Sequence, residues 1–378
     1  MNKNIQYKKL TDICEIITGE WGTEIKENSQ NIVSVIRTTN FLNNGKIDIQ
    51  NKELVKREMD KNKIEQKKLK KGDIIIEKSG GSPNQPVGRV VFFNLNSNDI
   101  FLCNNFTSIL RIKEKINSKY IFYFLRNSYK NNKVLKFQNK TTGIINLKLQ
   151  DYLNGSCIYL PELRIQNKVV NILDILESIL EKNQNYLNYL KELTKSLFTK
   201  YSDSKIVKSF YIKDISSELF AGGDKPNDYS KTTSKEYIYP VYSNGEKKEG
   251  LLCFSKTFKV DKEALTISAR GTIGFTVIRK ACFTPVVRLI TLIPNKNNNI
   301  IYLKYAIEEL NLKKLGSGVA QLTIPVFSKY KLNLPPIELQ NKFAERIEKI
   351  EKLKFEIEKS IEESQKLYNS LISKYFDN

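Results

Sequence analysis

Glu162–Tyr201 reads ELRIQNKVVNILDILESILEKNQNYLNYLKELTKSLFTKY. Apolar side chains recur in it at alternating steps of four and three: Val169, Leu173, Leu176, Leu180, Leu187, Leu190, Leu197 and Tyr201, broken only at Asn183 and Thr194. An a/d seam held over about four heptads is made by a long helix that packs along its length on another helix. No Gly or Pro interrupts the run, and Pro161 stands just before it, where its missing N–H costs nothing. At ~1.5 Å per residue such a helix is roughly 60 Å long and cannot stand alone.

The partner is the last stretch of the chain. Leu160-Pro161-Glu-Leu-Arg-Ile-Gln166-Asn167-Lys168 returns as Leu334-Pro335-Pro-Ile-Glu-Leu-Gln340-Asn341-Lys342, 174 residues later. The same offset carries Val169, Leu173, Leu176, Leu187, Leu197 and Tyr201 onto Phe343, Ile347, Ile350, Ile361, Leu371 and Tyr375, and the second seam, with Ile357 and Tyr368, keeps the register of the first. The chain is therefore a duplication. It divides into a first globular block (1–160), a first long helix (161–201), a second block (202–334) and a second long helix (335–378). The expected fold class is α+β, with two similar strand-rich domains separated by two long coiled-coil helices in an internal repeat.

Composition and charge bound what the blocks do. An apolar content of 40% with 19 Tyr and 19 Phe implies ordered cores rather than disorder. The cysteines (Cys14, Cys103, Cys157, Cys253 and Cys282) are scattered without a C-x-x-C, which reads as buried free thiols in a reducing cytosol. The N-terminus MNKNIQYKKL has no apolar core of a signal peptide, and no apolar run reaches a membrane-spanning length. A cytoplasmic protein with no membrane partner is expected. The net charge of +21 is unevenly placed: +12 in residues 1–161 and +9 in 201–337, but +1 in 162–200 and 0 in 338–376. An excess confined to the two blocks implies two polyanion-binding surfaces.

Both blocks run through the same series of segments. Ile32–Asn40 and Ile238–Asn244 are β-branched runs ending at Asn44-Gly45 and Asn244-Gly245 turns. Gly72-Asp73-Ile-Ile-Ile, the loop from Ser79 and the strand from Val87-Gly88-Arg89 are matched by Lys262-Glu263, Ala269–Gly274 and Phe275–Ile278. A further strand and a short amphipathic helix follow (Ser118–Asn127; Ile300–Leu310), then polar Gly loops at Lys140–Asn146 and Gly316–Gln321. The chain has no histidine, which removes the commonest general base and metal ligand. It also lacks a P-loop, a G-x-G-x-x-G after a strand, and the Asn/Asp-Pro-Pro-aromatic tetrapeptide of adenine methylation. Asp228, Glu246 and Lys248 could be drawn as a nuclease set, a spacing that chance supplies among 41 acidic residues. No catalytic residue and no metal site are assigned.

Two basic blocks, each closed by Leu-Pro-x-x-x-x-Gln-x-Lys and a long helix, resemble the specificity subunit of a Type I restriction-modification system. The resemblance covers the whole chain. It implies that each block is a target recognition domain reading one half of a split double-stranded DNA target. It implies that the helices pair antiparallel, giving the repeat a pseudo-twofold axis, set the spacer, and dock two DNA-adenine methyltransferase subunits, with endonuclease/translocase subunits joining them. On this resemblance the chain is not an enzyme and holds no cofactor, S-adenosylmethionine and ATP/Mg belonging to the partners. A structural coiled-coil DNA-binding adaptor without sequence readout, or a stand-alone restriction endonuclease, are the alternatives.

DNA contacts are expected on the polar loops: Arg37, Thr38, Thr39, Lys78, Ser79, Arg89, Thr141 and Thr142 in the first block. In the second they are Tyr242, Ser243, Asn244, Lys247, Arg270, Thr272, Ser317 and Gln321. Arg37, Arg89 and Arg270 stand out, because arginine reads guanine bidentately. Gly80, Gly143, Gly271 and Gly318 read as turn formers. Off the seam lie Ile172, Ile175, Ile179, Tyr186, Tyr189, Leu193 and Phe198, with Leu353, Leu367 and Ile372 on the second helix; these read as a face for a partner protein.

Overall fold

The computed structural model describes residues 7–82, 85–113, 115–141, 144–203, 206–310, 312 and 321–377. The chain forms two compact units, Met1–Lys182 with Ile361–Asn378, and Asn183–Ser360. Each unit thus holds one globular block and a segment of both long helices, which run over Leu163–Ser202 and Ile337–Phe376.

In the first unit a four-stranded antiparallel sheet has the order Cys14–Thr18, Thr107–Ile112, Ile74–Glu77, Val90–Phe92. The central strand reads Ile-Ile-Ile because both its faces are covered. Ile74 and Ile76 join the core around the helix Ser118–Lys130, while Ile75 joins a second core with Ile36, Phe41 and Phe101. A short apolar run without polar alternation is the mark of such a strand. The second core is closed by a three-stranded sheet, Val55–Glu58, Ile32–Ile36, Phe101–Cys103, antiparallel then parallel. The other unit repeats both sheets. Ser216–Ala221, Ile290–Pro294, Ala264–Ile267 and Thr276–Arg279 form the first, and Leu251–Ser255, Tyr239–Tyr242 and Thr284–Pro285 the second, with the same mixture of directions.

Strand register makes the two units comparable residue by residue. Ile16 and Ile74 both pair with Leu110, as Leu219 and Leu265 both pair with Leu292. Asp73 therefore corresponds to Ala264, one residue beyond the Lys262-Glu263 match expected from sequence, and Arg111 corresponds to Ile293. In the first unit Asp73, 3% exposed, binds Arg111 Nε at 3.0 Å and Nη2 at 2.8 Å. In the second, Ala264 and Ile293 pack with Val260 and Phe283 instead. A buried ion pair on one side of the duplication is an apolar contact on the other.

The repeated Leu-Pro-x-x-x-x-Gln motif is a clamp. Gln166 Oε1 accepts from the Asn117 N–H at 3.0 Å, its Nε2 donates to the Pro161 carbonyl at 2.8 Å, and Asn117 Nδ2 donates to Asn167 Oδ1 at 2.7 Å. The same three bonds recur around Gln340, which accepts from the Asn299 N–H and donates to the Pro335 carbonyl, while Asn299 Nδ2 donates to Asn341 Oδ1, each at 2.9 Å. Asn117 and Asn299 also cap the helices Ser118–Lys130 and Ile300–Glu309, so one buried carboxamide ties the start of a long helix to the start of a short one. Only an amide both donates and accepts in this way. Gln166→Ala orphans a donor and an acceptor, and is expected to cost about 2 kcal/mol. Urea denaturation followed by the fluorescence of Trp21, the single tryptophan, reads the unit that contains it. An unchanged midpoint would mean that water replaces the clamp without loss.

The long helices bury the expected residues in each unit. Val169, Leu173 and Leu176 share a core with Tyr368, Ile372 and Phe376, with Leu371 and Tyr375 at its margin. Phe343, Ile347 and Ile350 share the other core with Phe198 and Tyr201, with Leu190 and Leu197 at its margin. Leu180, Leu187, Ile357 and Ile361 are half-buried, and Asn183 Nδ2 donates to Ser360 Oγ at 3.1 Å. Two of the residues expected on an outer face are core instead. Phe198 stacks on Tyr302 and Phe343, and Ile372 is buried, because each lies where its helix meets its own block. Ile172 is half-buried against the first core for the same reason, and Ile179 is also half-buried. Ile175, Tyr186, Tyr189, Leu193, Leu353 and Leu367 are exposed, joined by Phe355, at 68% exposure the residue that the heptad reading passed over.

The thiols are free, but not all buried as expected: Cys14, Cys103 and Cys253 are inside, Cys282 is half-buried and Cys157, opposite Lys9 at the end of a short two-stranded pairing, is exposed. Burial pushes the Cys14 and Cys103 thiols up to about 11. Among the described residues no helix is long and apolar enough to cross a membrane.

Candidate nucleic-acid interface

In the first unit the turn after the strand Ile32–Ile36 is rigid. Asn40, fully buried, accepts from the Arg37 N–H at 3.0 Å and donates to the Asp48 and Lys52 carbonyls at 3.1 and 3.2 Å. Arg37 and Thr38 are half-buried on this turn and Thr39 is exposed; the Arg37 Nε is buried with no hydrogen-bond partner. Arg89 is not a free reader. Its Nε and Nη2 are held by the two Glu77 oxygens at 2.9 Å each, and Nη2 also donates to the Thr38 carbonyl at 3.3 Å. Its hydrogen bonds to Glu77 hold the guanidinium above the ordinary range. Arg89 thus braces the turn that presents Arg37 and Thr39. Lys78 is half-buried, and desolvation lowers its amine from the ordinary range. Ser79 Oγ donates to Asn146 Oδ1 at 2.5 Å.

In the second unit the corresponding turn is Lys247–Gly250, with Lys248 and Glu249 in the left-handed region. Arg279, which sequence reasoning missed, underpins it: Nη2 donates to the Glu249 carbonyl, Nη1 lies 3.3 Å from the Glu249 carboxylate, and Nε donates to Thr266 Oγ1 at 3.0 Å. Its guanidinium lies 3.8 Å from the centre of the Tyr242 ring, which also stacks edge-on to Phe283. Burial pulls Arg279 below its ordinary value, opposed by Tyr242 and Glu249. Tyr242 is therefore a support. So is Asn244, whose side chain accepts from the Ala269 N–H and donates to the Val287 carbonyl, both at 2.7 Å. Ser243 binds the Gly250 carbonyl through its N–H, whereas Lys247 and Arg270 are exposed. Thr272 keeps its hydroxyl buried, with no hydrogen-bond partner among the described residues. Arg270 and Gln321 are brought together, Gln321 Oε1 accepting from Nε at 3.0 Å and Nη2 at 2.6 Å. Thr142, Gly143, Ser317 and Gly318 lie outside the described residues, as does the side chain of Thr141.

The braces Asn40, Glu77 and Arg279 carried no sequence signal, since each depends on which carbonyl a distant turn offers it. Among the described residues no cluster of acidic or cysteine side chains is placed to hold a metal ion. Asp228, drawn above as a nuclease carboxylate, is taken up by Lys256 and Tyr237.

The family described as Type I restriction modification DNA specificity domain matches residues 2–192 and again 205–366. This chain belongs to that family. The double match falls on the two halves of the duplication, so the type I specificity domain is the unit that was repeated. A Mycoplasma pneumoniae protein named as a type I specificity subunit is 31% identical over 268 residues, 65% of this chain and 77% of the relative. A Methanocaldococcus jannaschii protein named as the specificity subunit of the type I restriction enzyme MjaX is 26% identical over 92% of this chain and 87% of its own length. The crystal structure of a Type I restriction-modification S subunit from M. genitalium has the same fold, with a TM-score of 0.64 at 15% identity over 100% of this chain and 97% of that one. The chain is a specificity subunit of the type I restriction-modification class, carrying two DNA-recognition domains.

Proposed function

We propose that the two blocks, 1–160 and 202–334, read the two halves of a split DNA target, and that the helices of 161–201 and 335–378 pair as an antiparallel coiled coil that sets the distance between them. The observation that carries this reading is the duplicated frame. In both halves an equivalent pair of sheets presents braced polar turns, and the basic excess lies in those blocks rather than in the helices. Lys and Arg on the blocks neutralise phosphates and supply affinity, while a few loop side chains at base edges supply specificity. The exposed apolar residues Ile175, Tyr186, Tyr189, Leu193, Leu353, Phe355 and Leu367 are the proposed docking positions for two DNA-adenine methyltransferase subunits, to which endonuclease/translocase subunits add. S-adenosylmethionine and ATP/Mg are then the partners' cofactors, and the chain works in the cytoplasm without catalysing a step itself.

The test is long-read mapping of N6-methyladenine in a host expressing the full chain with the adenine methyltransferase encoded beside it. Methylation at one split motif, lost when this chain is omitted, is the expected result. Methylation that persists without the chain, or that shows no split motif, overturns the proposal.

A further inference from the structure

We infer that Arg270, held by Gln321, is the guanine-reading group of the second recognition domain, and that Ser79 with Asn146 occupies the same position in the first; this rests on the DNA-reading role proposed above. Register establishes the correspondence. The N–H at the end of the first sheet hairpin, Glu77, donates to Arg89 as Ser268 donates to Phe275. One residue on, the Lys78 carbonyl accepts from the Leu147 N–H at 2.8 Å, and the Ala269 carbonyl accepts from the Leu322 N–H at 2.8 Å. Ser79 therefore answers to Arg270 and Asn146 to Gln321, and in each domain the two side chains bond to one another. The glycine that follows, Gly80 or Gly271, is left-handed in both, at φ +98° and +67°, and among the described residues nothing lies within 4 Å of where its Cβ would stand. A frame kept in both halves thus carries a polar pair whose identity differs between them, with Arg270 exposed in the second.

The chemistry of the pair selects the base. A guanidinium only donates, so the Gln321 carboxamide turns its oxygen to it and takes the Nε and Nη2 edge. That orients the exposed Arg270 side chain and leaves its end-on edge, Nη1 with the second Nη2 hydrogen, outside the bonds to Gln321. Two parallel donors match the O6 and N7 acceptors of guanine in the major groove and no other base. Ser79 is too short and uncharged to do the same, so the two half-sites differ at this position.

Arg270→Lys decides the matter, because it keeps the charge and loses the fork. In the full chain with its methyltransferase, adenine-methylome mapping should show one guanine position of one half-site relaxed in Arg270→Lys, with discrimination down about ten- to a hundredfold and the other half unchanged. Gln321→Ala, which frees the guanidinium without removing it, should soften the same position. Ser79→Ala should leave that guanine untouched. A motif unaltered by Arg270→Lys and Gln321→Ala, or altered in the half that Ser79→Ala alters, overturns the assignment while leaving the split-target role intact. A wild-type methylome without a split motif overturns both.

Discussion

Arg126→Ala is expected to lower the stability of the first unit by about 3–5 kcal/mol. Arg126 stands on the helix Ser118–Lys130 with its side chain 7% exposed. Its guanidinium bonds the Glu177 carboxylate on the first long helix, the Tyr368 hydroxyl on the second at 2.5 Å, and the Asn44 carbonyl of a loop. Phe122 and Tyr123 lie 5.1 and 5.0 Å from it, ring centre to guanidinium carbon. Desolvation pushes the Tyr368 hydroxyl up to about 12, so it stays neutral and Glu177 is the one counter-charge in this set. Truncation leaves that half-buried carboxylate with the Tyr123 hydroxyl at 3.3 Å and no counter-charge from this set, and frees two helices and a loop from a shared anchor. The alanine cavity adds to the cost, so Arg126→Met, which keeps the stem over the two rings, separates packing from charge. Trp21 fluorescence in a urea titration reads both variants in the unit concerned. A loss below about 1 kcal/mol in the alanine variant would show that water takes the place of the guanidinium.

The second large effect comes from the pair Asp73–Arg111. Asp73→Ala should cost about 3–5 kcal/mol, since Arg111 is left largely buried with its hydrogen bond to the Lys68 carbonyl and the charge of Glu15 across the strand pair, but without the carboxylate that held its fork. The double variant Asp73→Ala with Arg111→Ile writes into the first unit what the second already holds, Ala264 beside Ile293. It should recover to within about 1 kcal/mol of the parent, because the desolvation penalty of a buried pair offsets most of its Coulombic gain. The same fluorescence titration gives the double-mutant cycle. A double variant no better than Asp73→Ala would mean that the two halves are packed differently around this point, against the correspondence drawn from strand register.

How much of this was legible beforehand follows from the range of the interactions concerned. The long helices were, since Val169, Leu173 and Leu176 recur at helical spacing and a periodic stripe needs only local geometry to be read. So was the duplication, because Gln166 and Gln340 stand in the same nine-residue frame. The family followed from these together with the charge confined to the blocks. What the tertiary structure decided is the work each side chain does. Arg89 and Arg270 look alike as arginines beside glycines. Yet one is locked between Glu77 and the Thr38 carbonyl, while the other is steered by a single neutral amide and faces solvent. Tyr242 and Asn244 sit in a polar loop and turn out to hold it together. Those outcomes depend on partners tens of residues away, brought into hydrogen-bond range only by sheet register. Periodicity is a property of neighbours along the chain and survives in one dimension; a hydrogen-bond partner is a property of the folded surface and does not.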